Sequence, residues 1–537
     1  MKNVIKTIGI GAGALAALSA SQAAAAPKAA APAAPKQPNI VFFLVDDMGW
    51  MDIATNGSSL YETPNINRLA SEGVRFTQAY STCHVSSPAR ATIMTGRYPA
   101  SINMTDWLPG RENYTFQELL NVEVNQAIPK DEMTMPELLR TVGYKTAIIG
   151  KWHLGEGDAR PENRGFDMHI PAGYEKGWPQ TYYAPFKLNG FDGQPGQYLT
   201  DALTDEALKY IEANRNNPFY LYFAQYAVHD PIQGRPDLVA KYKAKIDALP
   251  LYDGLPFILE GNPDDENPLT RDQLTDLLDK PEYAAFREFY DTRTVKVKQR
   301  QDNANFAAMV ESIDQSLGRV MDKLKELGIE DNTVIIFTSD NGGMSAANFG
   351  SPGRIIQSNQ LDKAFSTSNL PLRGGKGWLY EGGLRVPLIA KWNGKWQKGV
   401  VCDVPVNHTD FFPTLAEIAG AKIPATKIIE GQSLTPLLTG KGTWKDQVLY
   451  WHFPHYSNHG LQSPGGAIRY GDWKLIEYFE RGTVQLFNIK EDIGEQNDLA
   501  AKMPEKVAEL KKMLHDWRTK VGAKMMEPNP EYHPKTE

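Results

Sequence analysis

Two cysteines, Cys83 and Cys402, are all that this chain of 537 residues contains. So small a number excludes a disulfide-framed scaffold and any zinc site built from paired cysteines. One disulfide between them is the single covalent link open to an oxidising compartment. Blocks of lysine or arginine are also missing. The formal net charge is −7, which argues against nucleic acid as a partner. An anion site in such a chain has to be a local group of cations working against the background field. Beyond the N-terminal segment no apolar run is long enough to span a bilayer, so no stable membrane insertion is expected. Internal repeats are absent as well.

What is present reads as an ordinary globular enzyme, 42% hydrophobic and 23% charged. The length exceeds what one core usually organises and predicts a large domain with a smaller one beside it. At the start, Lys2 and Lys6 precede a short Gly/Ala-rich apolar stretch, Ile8 to Ala20. This predicts a signal peptide over residues 1–26, cleaved near Ala23 to Ala26, and an exported protein, periplasmic or secreted. Residues 27–38 form an extended Pro/Ala linker.

Continuous apolar runs then recur: Asn39 to Val45, Lys145 to Gly150, Phe219 to Val228, Thr333 to Thr338 and Val386 to Trp392. Runs of that length and composition fit strands buried on both faces, as in a parallel sheet. Helical periodicity lies between them. It is clearest from Phe306 to Leu327, with Gly328 as a stop. The alternation predicts an α/β sandwich over residues 39–445, with a polar, Pro-rich insertion at 233–300 that rims the cleft. From 446 to 537 the pattern changes. Ala467 to Ile476 and Val484 to Ile489 read as antiparallel strands and Glu505 to Val521 as a helix, a smaller α+β subdomain.

Four of the buried runs lead into chemically loaded text: Asp46-Asp47, Lys151-Trp152-His153, His229-Asp230 and Asp340-Asn341. In a parallel sheet these groups converge on the rim at the C-terminal strand ends. Asp46, Asp47, Asp340 and Asn341 offer only oxygen ligands, which suits calcium or magnesium and not zinc. Arg90, Lys151, Lys376, His153 and His229 are candidates to neutralise an anion. Each residue alone has an ordinary reading as a cap, a turn or a surface charge. Two acid clusters at two strand ends favour the metal.

The segment Ser86-Ser87-Pro88-Ala89-Arg90, followed by Thr95-Gly96-Arg97, resembles the signature of the formylglycine-dependent sulfatases. The text NIVFFLVDDMGW, GKWHLG, FTSDNGG and LRGGKGWLYEGGLRVP resembles that family's motifs in its order, and AIRYGDWKL with LFNIKEDIGEQNDLA resembles its C-terminal subdomain. The resemblance spans residues 39–520. It implies an alkaline-phosphatase-like fold: a sandwich with a mostly parallel central sheet, plus a C-terminal subdomain with an antiparallel sheet.

It also implies a serine-type sulfatase in which a radical-type maturase oxidises Ser86 to formylglycine before export. The hydrated aldehyde attacks sulfur through one hydroxyl, and the second lets sulfate leave, a step that plain serine cannot perform. By the same resemblance Asp46, Asp47, Asp340 and Asn341 hold one calcium ion, which also meets residue 86. Arg90 orients the nucleophile, and Lys151 and Lys376 bind sulfate oxygens. His229 protonates the leaving oxygen and His153 takes the remaining hydroxyl proton. The expected substrate is a sulfated carbohydrate, attacked from a chain end, with galactose or N-acetylgalactosamine sulfate favoured. Asp106, Trp107, Trp378 and the stretch Trp451 to His459, with His452 and His455, are the specificity candidates. Two rivals stand: a phosphate or phosphonate monoester hydrolase of the same superfamily, and an inactive glycan-binding homologue.

Overall fold

The first apolar run forms strand β1 (Asn39–Val45), and its two faces serve two cores. Ile40, Phe42 and Leu44 join one hydrophobic cluster, while Val41, Phe43 and Val45 join another. A strand alternates its side chains, so only a sheet covered on both sides needs apolar residues at every position. The structure is a computed structural model that describes residues 37–284, 286–287, 293–347, 355–357 and 361–534. The expected signal peptide and residues 27–36 of the linker lie outside the described residues. Among the described residues no helix is long and apolar enough to cross a membrane.

Chain order continues with β2 (Val74–Tyr80), α1 (Ser86–Thr95), β3 (Lys145–Gly150), β4 (Met168–Ile170), α2 (Leu199–Asn214), β5 (Phe219–Ala224) and α3 (Pro236–Asp247). Then come β6 (Phe257–Glu260), β7 (Val295–Lys298), α4 (Ala304–Glu326), β8 (Thr333–Ser339), β9 (Arg385–Lys391), β10 (Val400–Cys402), β11 (Val406–Asn407) and α5 (Phe411–Ala419). The main sheet runs β10-β2-β9-β8-β1-β5-β3-β4, with β11 beside β2. Strands β8, β1, β5, β3 and β4 are mutually parallel, and β9 opposes both β8 and β2. Helices α2, α3 and α4 cover one face and α1 and α5 the other. Helix α4 begins two residues before the expected Phe306, because the Asn303 side chain accepts the Phe306 N–H and caps it.

The C-terminal region forms a second sheet of β12 (Leu449–Phe453), β13 (Gly465–Tyr470), β14 (Trp473–Tyr478) and β15 (Val484–Asn488), antiparallel in that order. Helix α6 (Pro504–Val521) packs Leu510, Leu514 and Trp517 on one face of it. The other face, with Ala467, Ile476 and Phe487, meets Tyr80, Trp378, Leu379 and Tyr380 of the larger region.

Among its described residues the insertion packs partly into the body of the fold and partly against the chain around Ser463. Leu238 and Tyr242 of α3 belong to the first core, and β6 and β7 form an antiparallel pair whose Val295 and Val297 pack in the seam between the sheets. Strand β5 stops at Ala224, four residues before the predicted end, although residues 225–228 still exchange backbone hydrogen bonds with Leu44 and Asp46. The disulfide open to Cys83 and Cys402 is not formed, and both are free thiols.

Candidate active site

Register brings the site together. Val45 pairs with Ser339, so Asp46 and Asp340 leave adjacent parallel strands side by side. Gly150 pairs with Ala224 and Leu44 with Ala224, which sets Lys151 on the same rim. Helix α1 enters from the opposite face. Ser86 is its first residue and Arg90 lies one turn on, so both point the same way. A helix N-terminus also favours negative charge at Ser86. Gly96, with a positive φ, ends the helix.

The Ser86 hydroxyl lies 3.1 Å from Lys151 Nζ, 3.2 Å from Asp46 Oδ1 and 3.3 Å from Asn341 Oδ1. Arg90 clamps Asp340 with two nitrogens, at 2.9 and 2.8 Å, and donates to the Lys151 carbonyl. Lys151 pairs with Asp46 and Lys376 with Asp47, each at 2.7 Å. Asp47 and His153 both hold φ near +60°, a region that non-glycine residues seldom occupy. The packing around the site therefore over-determines their backbone.

The two histidines are held differently. His229 sets Nδ1 against Asp230, 2.9 Å from its carboxylate, and keeps Nε2 3.7 Å from Asp47. Burial and Lys376 work against its charge, but Asp230, Asp47 and Asp46 outweigh them and raise its pKa. His153 donates Nε2–H to the Leu108 carbonyl at 2.9 Å, which leaves Nδ1 as a bare acceptor. Burial first, then Lys151, push its pKa well below the usual imidazole value. For Asp340 the effect of burial is overcome by Arg90 and Lys151, and its carboxyl is held low. Asp46 goes the other way, pushed up to about 6 by burial despite Lys151.

The acids fit a hard cation. Oxygens of Asp46, Asp47 and Asp340 approach within 4.8 Å of one another, all buried. Asn341 donates its amide N–H groups to Asp47 and the Gly342 carbonyl, which leaves Oδ1 facing the Ser86 hydroxyl. Arg90, Lys151 and Lys376 balance these carboxylates in the structure, and the oxygen-only donor set itself is of the kind that suits a hard cation such as calcium. Among the described residues no second cluster of potential ligands of this kind is present.

A pocket opens over Ser86, lined by Val85, Trp107, Lys151, His153, Trp178, His229, Asp230, Lys376, Asn458 and His459 among others. The family model described as Sulfatase matches residues 38–421, and one described as N-sulphoglucosamine sulphohydrolase, C-terminal, matches residues 375–521. The chain belongs to the sulfatase family. A sulfatase of Formosa agariphila is 30% identical, with 88% of this chain and 86% of that protein covered. The mouse (Mus musculus) N-acetylgalactosamine-6-sulfatase is 31% identical over 78% of this chain and 69% of its own length. The solved structure of Ps i-CgsB in complex with k-i-k-neocarrahexaose superposes with a TM-score of 0.65 at 28% identity, covering 90% of this chain and 93% of that one. As a sulfatase this protein is a sulfuric ester hydrolase with the alkaline-phosphatase-like fold.

Of the single residues expected to set specificity, only Trp107 lines the pocket of this sulfatase. Asp106 is buried below it and accepts the backbone N–H groups of Trp107 and Arg111, so it holds the turn that presents the indole. Trp378 is buried in the seam. His452 bonds the Lys524 carbonyl and His455 the Thr105 hydroxyl, both away from the pocket. Trp178, not named from the sequence, also lines the pocket, and within the stretch Trp451 to His459 the lining residues are Asn458 and His459, not His452 and His455. The first residues of that stretch belong to β12, and only the chain after the strand, with Asn458 and His459, turns back to the pocket.

Proposed function

We propose that this sulfatase removes sulfate from terminal sugars of a sulfated polysaccharide or oligosaccharide, with a galactose or N-acetylgalactosamine sulfate preferred. The observation that carries the reading is the Ser86 hydroxyl at the foot of a pocket, between Lys151 Nζ and the oxygens of Asp46 and Asn341. A pocket, as opposed to an open groove, admits a chain end. The relatives point to the same class, since one is named N-acetylgalactosamine-6-sulfatase and another was solved with k-i-k-neocarrahexaose.

In this reading Ser86 is converted to formylglycine, whose hydrate supplies one hydroxyl to attack sulfur and another to free the sulfate. Ser86 is 3% exposed within a buried helix, so a maturase has to act on the chain before it folds and is exported. Asp46, Asp47, Asp340 and Asn341 hold calcium, which supplies Lewis acidity and charge neutralisation. Lys151 and Lys376, on the pocket floor, would bind sulfate oxygens. Arg90 fixes Asp340 and the backbone at Lys151. His229, raised and clamped by Asp230, carries a proton to the leaving oxygen. His153, kept neutral with Nδ1 bare, accepts one. Two groups whose surroundings drive their pKa values apart are suited to opposite proton-transfer roles.

The test is a product assay. Protein made in a host with the maturase is incubated with calcium and monosulfated sugars, and in parallel with phosphate and phosphonate monoesters. Sulfate release from the sugars is the expected result. Phosphate or phosphonate cleavage without sulfate release would support the monoesterase, and sugar binding without release the inactive homologue.

A further inference from the structure

The pocket holds one buried polar side chain that none of the roles above employs. His459 lines it, is 6% exposed, and has no hydrogen-bond partner at either ring nitrogen among the described residues. Buried polar groups are almost always bonded, so an orphan facing a cavity points to a ligand. His84 is also without partners at both nitrogens, but it lies edge-on to Phe453 and does not line the pocket.

The chain places His459 there by close backbone packing. At Gly377 an added Cβ would lie 2.3 Å from the His459 carbonyl oxygen, and at Gly460 one would lie 2.3 Å from the Trp378 ring. Both glycines have positive φ. The GGKGW text thus interlocks with the turn after β12, and Trp378 acts as the pillar of that contact. The Ser457 hydroxyl accepts the His459 N–H and donates to its carbonyl, which fixes the turn.

Electrostatics choose the kind of ligand. Burial, then Lys376, push the His459 pKa well below the usual value, with Asp230 opposing. A neutral imidazole offers one donor and one acceptor, which matches a hydroxyl and is poor for a sulfate oxygen. Sulfate has Lys151 and Lys376 on the same floor. Trp178, 42% exposed, and Trp107 supply apolar faces on the pocket wall, suited to the face of a sugar ring.

We propose that His459 is a specificity-determining residue that binds a hydroxyl of the sugar next to the sulfated position. This rests on the sulfated-sugar reading. The experiment compares kcat/KM across monosulfated hexoses and N-acetylhexosamines in galacto and gluco configurations, for the wild type, His459→Ala and His459→Asn, with thermal melts of each. Loss of one buried hydrogen bond should lower kcat/KM on the best sugar by about 10- to 100-fold and shrink the preference between epimers. His459→Asn, which keeps a donor and an acceptor, should recover part of both. A His459→Ala variant that keeps the wild-type epimer preference would overturn the proposal, whether or not its overall rate falls. A wild type that cleaves no sulfated sugar would instead sink the reading beneath it.

Discussion

The pocket over Ser86 and the seam between the two sheets each hold a buried charge cluster. In the pocket Asp46, Asp47 and Asp340 stand with Arg90, Lys151, Lys376 and His229. In the seam Lys474 of β14 pairs with Glu381 at 3.0 Å and with Glu495 at 2.9 Å, all three side chains fully buried. Glu381 also takes hydrogen bonds from Tyr80 and Arg385, and Arg469 of β13 reaches the Tyr80 hydroxyl. The residue types are nearly the same. The difference is where the charges point. In the seam Lys474, Glu381 and Glu495 close on one another and tie the smaller sheet to the larger region, while Arg385 and Arg469 at its edge line a separate surface hollow. In the site the charges pair just as tightly, but Lys151, Lys376 and His229 line a pocket, where an anion can meet them. Buried charge alone does not mark a catalytic centre, nor does a hollow beside it; the pocket over Ser86 differs in setting its cations beside a hydroxyl and three clustered carboxylates.

Each cluster can be disabled separately. Ser86→Ala should have the largest effect, a fall in kcat/KM of about 10⁴-fold or more, measured by sulfate release. Its stability should stay within about 1 kcal/mol of wild type, because the hydroxyl makes only long contacts. Lys474→Met should do the reverse. It leaves Glu381 and Glu495 buried without their shared cation and should cost about 3–5 kcal/mol in a urea melt, with kcat/KM of the folded fraction kept within a few-fold. If Lys474→Met lost activity without stability, the division between the clusters would be wrong.

Calcium sharpens the contrast. At a hundredfold excess over its dissociation constant it should stabilise the wild type by about 2–3 kcal/mol, and Asp46→Asn should lose most of that gain. A smaller effect belongs to the seam. Burial raises the Glu495 carboxyl from 4.5 to about 7, with Lys474 opposing and Glu381 adding to it. A carboxyl raised on folding contributes its stability below the unfolded value and loses it as pH climbs through the folded one. Wild type should therefore lose on the order of 1 kcal/mol per pH unit between those two values relative to Glu495→Gln. Chemical melts across that range would show it, and parallel curves would contradict it.

Much of the site was legible in the sequence because parallel strands must end on one rim. Asp46, Asp47, Lys151 and Asp340 each follow an apolar run, and register does the rest. The main sheet, α4 and the C-terminal strands were readable from periodicity for the same reason. The pocket wall was legible only in part, since Trp107 and the stretch Trp451 to His459 were named but not which residues of that stretch line the pocket. Trp378 is buried and His459 lines the pocket where Gly377 and Gly460 let two distant segments touch, and no local pattern records a contact across that separation. How the insertion is anchored was not legible, because its polar composition hid the few apolar residues, Leu238, Tyr242, Val295 and Val297, that pack it into two cores.

That Ser86 is the converted nucleophile is tested most directly by the mass of the tryptic peptide Phe76–Arg90. Protein from a host with the maturase should give a peptide lighter than the encoded one by two hydrogens, with the loss mapped to Ser86. An intact serine in that host would contradict the assignment.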